Sequence, residues 1–338
     1  MMYGLEIRYL LRRLPTLALG LVACLGACLP AAAQEGKGDV VYVPTPQIVV
    51  DSMLNMAKLG PQDYLIDLGS GDGRVVVTAT KNYGARALGV DLDQQLLQLA
   101  RETARLSGVS ERARFVEQNL FETDLSGATV ITSYLLPSMN LKLRPKLLAL
   151  PPGTRIVTHD YHFGDWIPDE RKTLDVPEKK VGDPGKSYVY LWVVPEQVEG
   201  NWQLDLTQLQ LDLPGIPAKS AVQLTQRFQM IEGQWLAGSV RMALQRARVS
   251  GKQISFQLPL GDILRMLSGA TQMRPAVPAA ARPVFGPQAV LEFDGRRDGN
   301  VLRGEVRIRR QDGGAVVSNA RAWSAVMVDM RLAPVRTP

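Results

Sequence analysis

The run Asp67-Leu-Gly69-Ser70-Gly71-Asp-Gly73-Arg74 stands where an apolar stretch, Tyr64-Leu-Ile-Asp67, gives way to a helical pattern. Glycines at alternate positions leave no side chains between the backbone and a ligand, so a nucleoside-bearing molecule can press against such a turn. The N–H groups at the following helix start suit a carboxylate, such as that of a methionine moiety. The spacing is G-x-G-x-G with an acid two residues ahead, not the G-x-G-x-x-G that brings a helix start to a pyrophosphate. It therefore favours adenosylmethionine over a dinucleotide.

Three further side chains extend this reading. Asp91 ends the next strand, 20 residues after Gly71, where a carboxylate can accept from both ribose hydroxyls. Asp93 is read as a helix N-cap. Asn119 follows the third strand, where its amide oxygen can accept from an adenine amino group. Methyl transfer from a sulfonium needs alignment, plus removal of a proton when the acceptor is an amine or hydroxyl. Tyr134 and the His159-Asp160 pair stand at the ends of the fourth and fifth strands, so Tyr134 can orient an acceptor and His159 can take its proton.

The elements that must position these residues alternate as in a mostly parallel α/β domain. Strands are expected at 64–67, 87–91, 114–117, 128–133 and 155–158, with helices at 49–59, 74–83 and 94–107. A closing hairpin of 173–176 with 187–194 turns around Gly182-Asp-Pro-Gly185, and residues 160–171 are too broken by Gly164 and Pro168 for the usual helix. Beyond Pro195 the pattern becomes short alternating segments, Val222-Leu224, Phe228-Met230 and Ile254-Phe256-Leu258. Turn signals recur at Glu232-Gly233, Ser250-Gly251, Asp298-Gly299 and Asp312-Gly313. An antiparallel β-rich domain, barrel or sandwich, is expected over 196–338, with 269–289 as an excursion.

Residues 40–195 resemble the class I, seven-stranded, Rossmann-like methyltransferases that use S-adenosyl-L-methionine. They look like bacterial exported members and are more distantly similar to the mitochondrial lysine methyltransferase that modifies the c-ring protein of ATP synthase. The resembling blocks are Tyr42-Val-Pro-Thr45-Pro, Asp67 to Arg74, Gly89-Val-Asp91-Leu92-Asp93, Tyr134-Leu-Leu-Pro137 through Pro145, and Pro152-Gly through His159-Asp160 and Gly164-Asp-Trp166. The resemblance implies that Asp67, Gly69, Ser70, Gly71 and Gly73 form the cofactor turn, that Asp91 holds the ribose and that Asn119 faces adenine. It also implies cofactor contacts from Tyr42, Thr45 and Leu92. Many relatives carry aspartate where Asn119 stands. Ser133-Tyr-Leu-Leu-Pro137 lacks the amide and paired prolines of an N-P-P-Y turn, which argues against nucleobase methylation.

Composition bounds the alternatives. The 338 residues carry two cysteines, Cys24 and Cys28, and two histidines, His159 and His162, which leaves little for a metal site or a nucleophilic triad. Residues 1–34 read as an export signal: Arg8, Arg12 and Arg13, an apolar run, then Ala31-Ala-Ala33. Lipidation at Cys24 or Cys28 is the variant of that expectation, so a periplasmic or membrane-attached location follows. Residues 196–338 hold 18 basic against 12 acidic residues, 16 of the basic ones arginine. Such an excess suits an anionic surface such as phospholipid, while no aromatic-basic RNA motif is visible. The expected activity is methyl transfer to a protein lysine or a small amine. The alternative is a SAM-binding envelope protein without catalysis, its basic β domain serving as the working surface.

Overall fold

The computed structural model describes residues 42–211, 213, 215–270, 288–310 and 318–329. The expected export signal with Cys24 and Cys28, most of the 269–289 excursion and the Asp312-Gly313 turn lie outside the described residues.

Seven strands build the first sheet: β1 (Tyr64–Leu68), β2 (Arg86–Asp91), β3 (Ala113–Glu117), β4 (Val130–Ser133), β5 (Arg155–His159), β6 (Glu170–Val176) and β7 (Gly185–Val193). Their order is β3-β2-β1-β4-β5-β7-β6, with β7 antiparallel to β5 and β6 and the first five strands parallel. Central strands buried on both faces need unbroken apolar runs, and Leu65, Ile66 and Leu68 are fully enclosed. Helices α1 (Gln47–Met56), α2 (Arg74–Tyr83), α3 (Gln94–Leu106) and α4 (Pro137–Leu148) accompany the sheet. The register aligns strand ends, Leu68 with Ser133 and Ser133 with Thr158, so the residues after β1, β4 and β5 share one rim.

No helix joins β5 to β6, as the broken pattern of 160–171 implied. Phe163 and Trp166 from this segment are fully buried, with Phe163 4.7 Å edge-on to Trp192 of β7. Aromatic bulk thus covers the face that a helix would otherwise shield from water.

The second sheet closes on itself. Strands β8 (Gly200–Asp205), β9 (Lys219–Arg227), β10 (Met230–Ala237), β11 (Val240–Ala243), β12 (Gln245–Ser250), β13 (Gln253–Pro259), β14 (Ala289–Asp298), β15 (Val301–Arg310) and β16 (Arg321–Asp329) are antiparallel, and β16 pairs back onto β8. Because β11 and β12 lie along the same neighbour, β10, this is an eight-stranded antiparallel barrel. Alternate residues fill it: Trp202, Leu204, Trp235, Ile254, Phe256, Leu258, Phe293 and Val306 are buried in one core. Helix α5 (Leu260–Ala270) adds Leu260 and Ile263 to that core. A bare pair, Gly295 opposite Gly304, sits under Trp323, whose Nε1 donates to the Asp294 and Glu305 carbonyls at 3.1 Å. These glycines make room for an indole.

Sheet and barrel meet along the 160–169 segment. Phe228, in the β9–β10 turn at φ +56°, stacks on Trp166 at 5.9 Å. Buried Gln229 accepts from Trp166 Nε1 at 3.0 Å and donates to the Ile167 carbonyl. Arg227 pairs with Asp165 and Arg248 with Asp169, while Arg307 and Arg309 pair with Glu305 and Glu292. Two of the barrel's arginines, Arg227 and Arg248, thus pair with carboxylates of the 160–169 segment, and two more with carboxylates of the barrel itself. Among the described residues no helix is long and apolar enough to cross a membrane.

Candidate active site

The turn after β1 is wound as its glycines require: Gly69, Gly71 and Gly73 have φ of +77°, +52° and +77°. Its N–H groups are largely spent inside the protein. Gly69 and Ser70 N–H both donate to the Val90 carbonyl, at 2.9 and 3.0 Å, and Gly71 N–H donates to Asp91 Oδ2 at 2.8 Å. The expected row of unpaired donors for a carboxylate is thus replaced by a turn clamped onto the end of β2.

Asp91 points at the turn, as a ribose ligand must. Its Oδ1 accepts from Leu92 and Asp93 N–H at 2.8 and 3.0 Å, and Oδ2 from Gly71. Of roughly four acceptor positions on a carboxylate, this leaves one, on Oδ2. The geometry therefore fits one ribose hydroxyl at Asp91, where the sequence alone suggests both. Leu92 beside it is 38% exposed, an uncovered apolar surface suited to a base or sugar. Asp93 caps α3 through Gln95 and Leu96 N–H, as expected. Asn119 Oδ1 already accepts from Phe121 N–H at 3.0 Å, so an adenine contact would use its second lone pair.

Two turn residues serve packing instead. A Cβ on Gly73 would come within 2.7 Å of both Ala100 Cβ and the Phe115 ring, so this glycine lets α3 and β3 close in. Ser70 is buried against Gly89, its Oγ without a hydrogen-bond partner. Asp67 is enclosed as well; burial raises its carboxyl to about 7, opposed by the Thr132 hydroxyl at 2.7 Å and reinforced by Asp91 and Asp72. Tyr42 lies across the turn, its ring against the place where a Gly71 Cβ would stand, and burial with Asp72 beside it pushes its phenol up to about 12. Arg74 binds Asp72 and reaches the Thr45 carbonyl at 2.7 Å, tying the Pro-Thr-Pro segment to the turn. A Gly69 Cβ would meet Leu135 at 3.2 Å, so the chain leaving β4 borders the same turn.

On that border lies a buried polar cluster. Tyr134 donates to Asp160 Oδ2 at 3.1 Å, and its ring centroid is 4.0 Å from that of His159. Asp160 is held at φ +61°, a conformation costing a non-glycine residue about 1–2 kcal/mol, by exchanging bonds with Tyr188: its N–H to the Tyr188 carbonyl, 2.7 Å, and its Oδ1 from Tyr188 N–H, 3.1 Å. Lys179, from the loop between β6 and β7, places its Nζ 2.6 Å from Asp160 Oδ2. Burial and the neighbouring carboxylate raise the Tyr134 phenol, so it stays a donor.

His159 does not fit its expected role as proton acceptor. It is 1% exposed, Nδ1 lies 3.3 Å from Thr45 Oγ1 and Nε2 lies 3.0 Å from Ser187 Oγ. Burial lowers it to about 4, so it is neutral at pH 7 with both nitrogens engaged. Thr45 in turn directs its hydroxyl to His159. Of the pair, Asp160 is the group left to receive a proton. Lys179 and Ser187 carry no signal in the sequence, since each reaches the cluster only through the β6–β7 hairpin.

Residues 67–170 match the family model of the ANTKMT methyltransferase domain. A protein-lysine N-methyltransferase of Saccharolobus islandicus is 41% identical over 160 residues, 46% of this chain and 95% of that protein. An ATP synthase c-subunit lysine N-methyltransferase of Xenopus laevis is 31% identical over 44% of this chain and 66% of its own length. An RNA methyltransferase of Salinibacter ruber, solved with S-adenosyl-L-homocysteine, is 46% identical over 46% of this chain and 96% of its own, with a TM-score of 0.42. Residues 196–338 lie beyond the ANTKMT match. Through its seven-stranded domain, with the glycine turn clamped by Asp91, the chain belongs to the class I S-adenosyl-L-methionine-dependent methyltransferases, in the family of the ANTKMT domain and the archaeal protein-lysine enzyme.

Proposed function

We propose that this methyltransferase modifies the ε-amine of a lysine in a protein acceptor, with Asp91 holding the nucleoside and Asp160 and Tyr134 receiving the amine. The observation that carries the reading is the buried carboxylate of Asp160, already bonded to a phenol, on the rim shared with the glycine turn. A carboxylate enclosed in this way favours a cationic partner. The archaeal relative's activity on protein lysine supports the same choice.

When bound, S-adenosyl-L-methionine supplies a methyl group on a sulfonium, which leaves as the neutral thioether. Lysine is an ammonium near neutral pH, and it must lose a proton before its nitrogen can attack. Asp160 draws the ammonium in and accepts that proton, while Tyr134, kept protonated, fixes the carboxylate's orientation. Held by the glycine turn and Asp91, the donor would supply the methyl group for the new N–C bond at the expense of its own C–S bond. His159 and Thr45 exclude water from one side of the cluster.

The start of the chain, basic then apolar then small, supports export as part of this proposal; mass spectrometry of the mature N-terminus tests it. The transfer itself is tested by incubating the protein with deuteromethyl S-adenosyl-L-methionine and cell-envelope protein, then locating the label. Label on lysine nitrogen is expected. Label on nucleic acid would refute the acceptor class, and binding of the cofactor without transfer would favour a cofactor-binding envelope protein.

A further inference from the structure

Loop residues 177–184, between β6 and β7, are exposed with one exception. Pro177, Glu178, Lys180, Gly182, Asp183 and Pro184 face solvent, whereas Lys179 is 6% exposed. Lysine is almost never buried so fully without a partner, and its neighbour Lys180 shows that the loop offers a solvated alternative. The Lys179 ammonium sits 2.6 Å from Asp160 Oδ2, the oxygen that Tyr134 also contacts, and donates to the Lys186 carbonyl. A Cβ on Gly182 would lie 3.4 Å from Asp160 Oδ2, so the bare loop backbone presses close over this pair.

We infer that Lys179 occupies the place of the acceptor lysine, and that the acceptor must displace it from Asp160. This rests on the assignment of Asp160 as the acceptor's carboxylate. The chemistry is that of one primary ammonium exchanged for another on the same oxygen, with no bond made or broken. Besides the Lys179 ammonium, the loop is held by few bonds: Lys179 N–H to the Val176 carbonyl, Gly185 N–H to the Lys179 carbonyl, Lys186 N–H to the Asp183 carbonyl, the Lys180 ammonium to the Pro177 carbonyl, and the Tyr188 hydroxyl to Asp183. Withdrawal of one side chain from an otherwise exposed loop disturbs little of the core. The internal lysine would then select acceptors presented well enough to compete with it.

The test uses the full chain saturated with S-adenosyl-L-homocysteine and titrates Nα-acetyl-lysine amide by calorimetry. Lys179→Met keeps the stem and removes the ammonium, and it should bind this probe roughly tenfold more tightly than the wild type. Lys179→Met combined with Asp160→Asn should lose that gain. In the transfer assay the acceptor KM of Lys179→Met should fall, a change that a merely structural ion pair would not produce. Removing one member of a buried pair can destabilise a fold, so the wild type supplies a second readout: saturating probe should speed hydrogen exchange at 177–186. Equal affinity in Lys179→Met and wild type, or unchanged exchange in that loop, overturns the inference. A failure of S-adenosyl-L-homocysteine to bind, or of label to reach any lysine, would instead refute the proposed function.

Discussion

Asp91→Asn is the sharpest perturbation of the nucleoside site, because the replacement is isosteric and the existing bonds fix what it must break. In the native protein Oδ1 serves Leu92 and Asp93 N–H and Oδ2 serves Gly71 N–H. An amide offers one oxygen and one NH2. If the oxygen keeps the two bonds to Leu92 and Asp93, the NH2 confronts Gly71 N–H, and donor meets donor. The turn loses its clamp and the remaining lone pair for a ribose hydroxyl disappears with it. One hydrogen bond to a charged group is worth about 1.5–3 kcal/mol, so affinity should fall roughly 10- to 150-fold. Calorimetric titration with S-adenosyl-L-homocysteine measures this directly. A Kd within twofold of wild type, with an unchanged melting temperature, would refute the assignment of Asp91.

Gly73→Ala should destabilise the protein by about 2–5 kcal/mol, from left-handed strain together with overpacking against Ala100 and Phe115, as read by urea denaturation. Gln229→Ala should lower stability by about 1–3 kcal/mol, because it strands the buried Trp166 N–H at the junction of sheet and barrel. Asp67 and His159 act oppositely on pH dependence. Asp67, raised to about 7, contributes stability that is present below about pH 4 and lost as pH rises through 7. His159, lowered to about 4, contributes stability that is present above about pH 6.5 and lost as pH falls through 4. The two effects oppose each other. Asp67→Asn should therefore lose more stability than the wild type between pH 7 and pH 4, in denaturant titrations across that range.

The sequence disclosed those parts of the fold whose signals are local. Helix α2 has the expected bounds, Arg74–Tyr83, because left-handed Gly73 and Gly84 stop it at both ends. The presence of the first five strands, the closing hairpin and the antiparallel character of the β domain were likewise legible from apolar runs and turns, whereas the choice of barrel over sandwich was not. Helix α4 was not, since Pro145 interrupts it and Leu136 and Leu141 lie exposed. Helix α5 was hidden because its apolar residues continue those of β13 without a break. Helix α1 runs Gln47–Met56, earlier than the expected 49–59, because Pro46 caps it. Glu232-Gly233 reads as a turn yet lies within β10, where a Gly233 Cβ would strike the Gln223 carbonyl. Conversely, Phe228-Met230 reads as strand, while Phe228 adopts φ +56° in a turn.

At the site, the glycine turn and Asp91 were legible because a local spacing creates them. The division of labour within the turn was not. Gly73 and Ser70 look alike in sequence to a ligand-facing glycine and serine, and only the approach of Ala100, Phe115 and Gly89 shows them turned to the core. The acceptor cluster depends on a hairpin that brings Lys179 and Ser187 back to residues 159 and 160, a tertiary contact with no local signature. For the same reason His159 looked like a base, although Thr45 and Ser187 enclose it and engage both its nitrogens.

The most direct measurement is a crystal structure of the full chain with S-adenosyl-L-homocysteine and a lysine peptide. A ribose hydroxyl is expected within about 2.6–3.2 Å of Asp91 Oδ2, with the peptide's lysine nitrogen on Asp160 beside Tyr134 and Lys179 withdrawn. A nucleoside bound away from Asp91, or a peptide lysine that ignores Asp160, would contradict it.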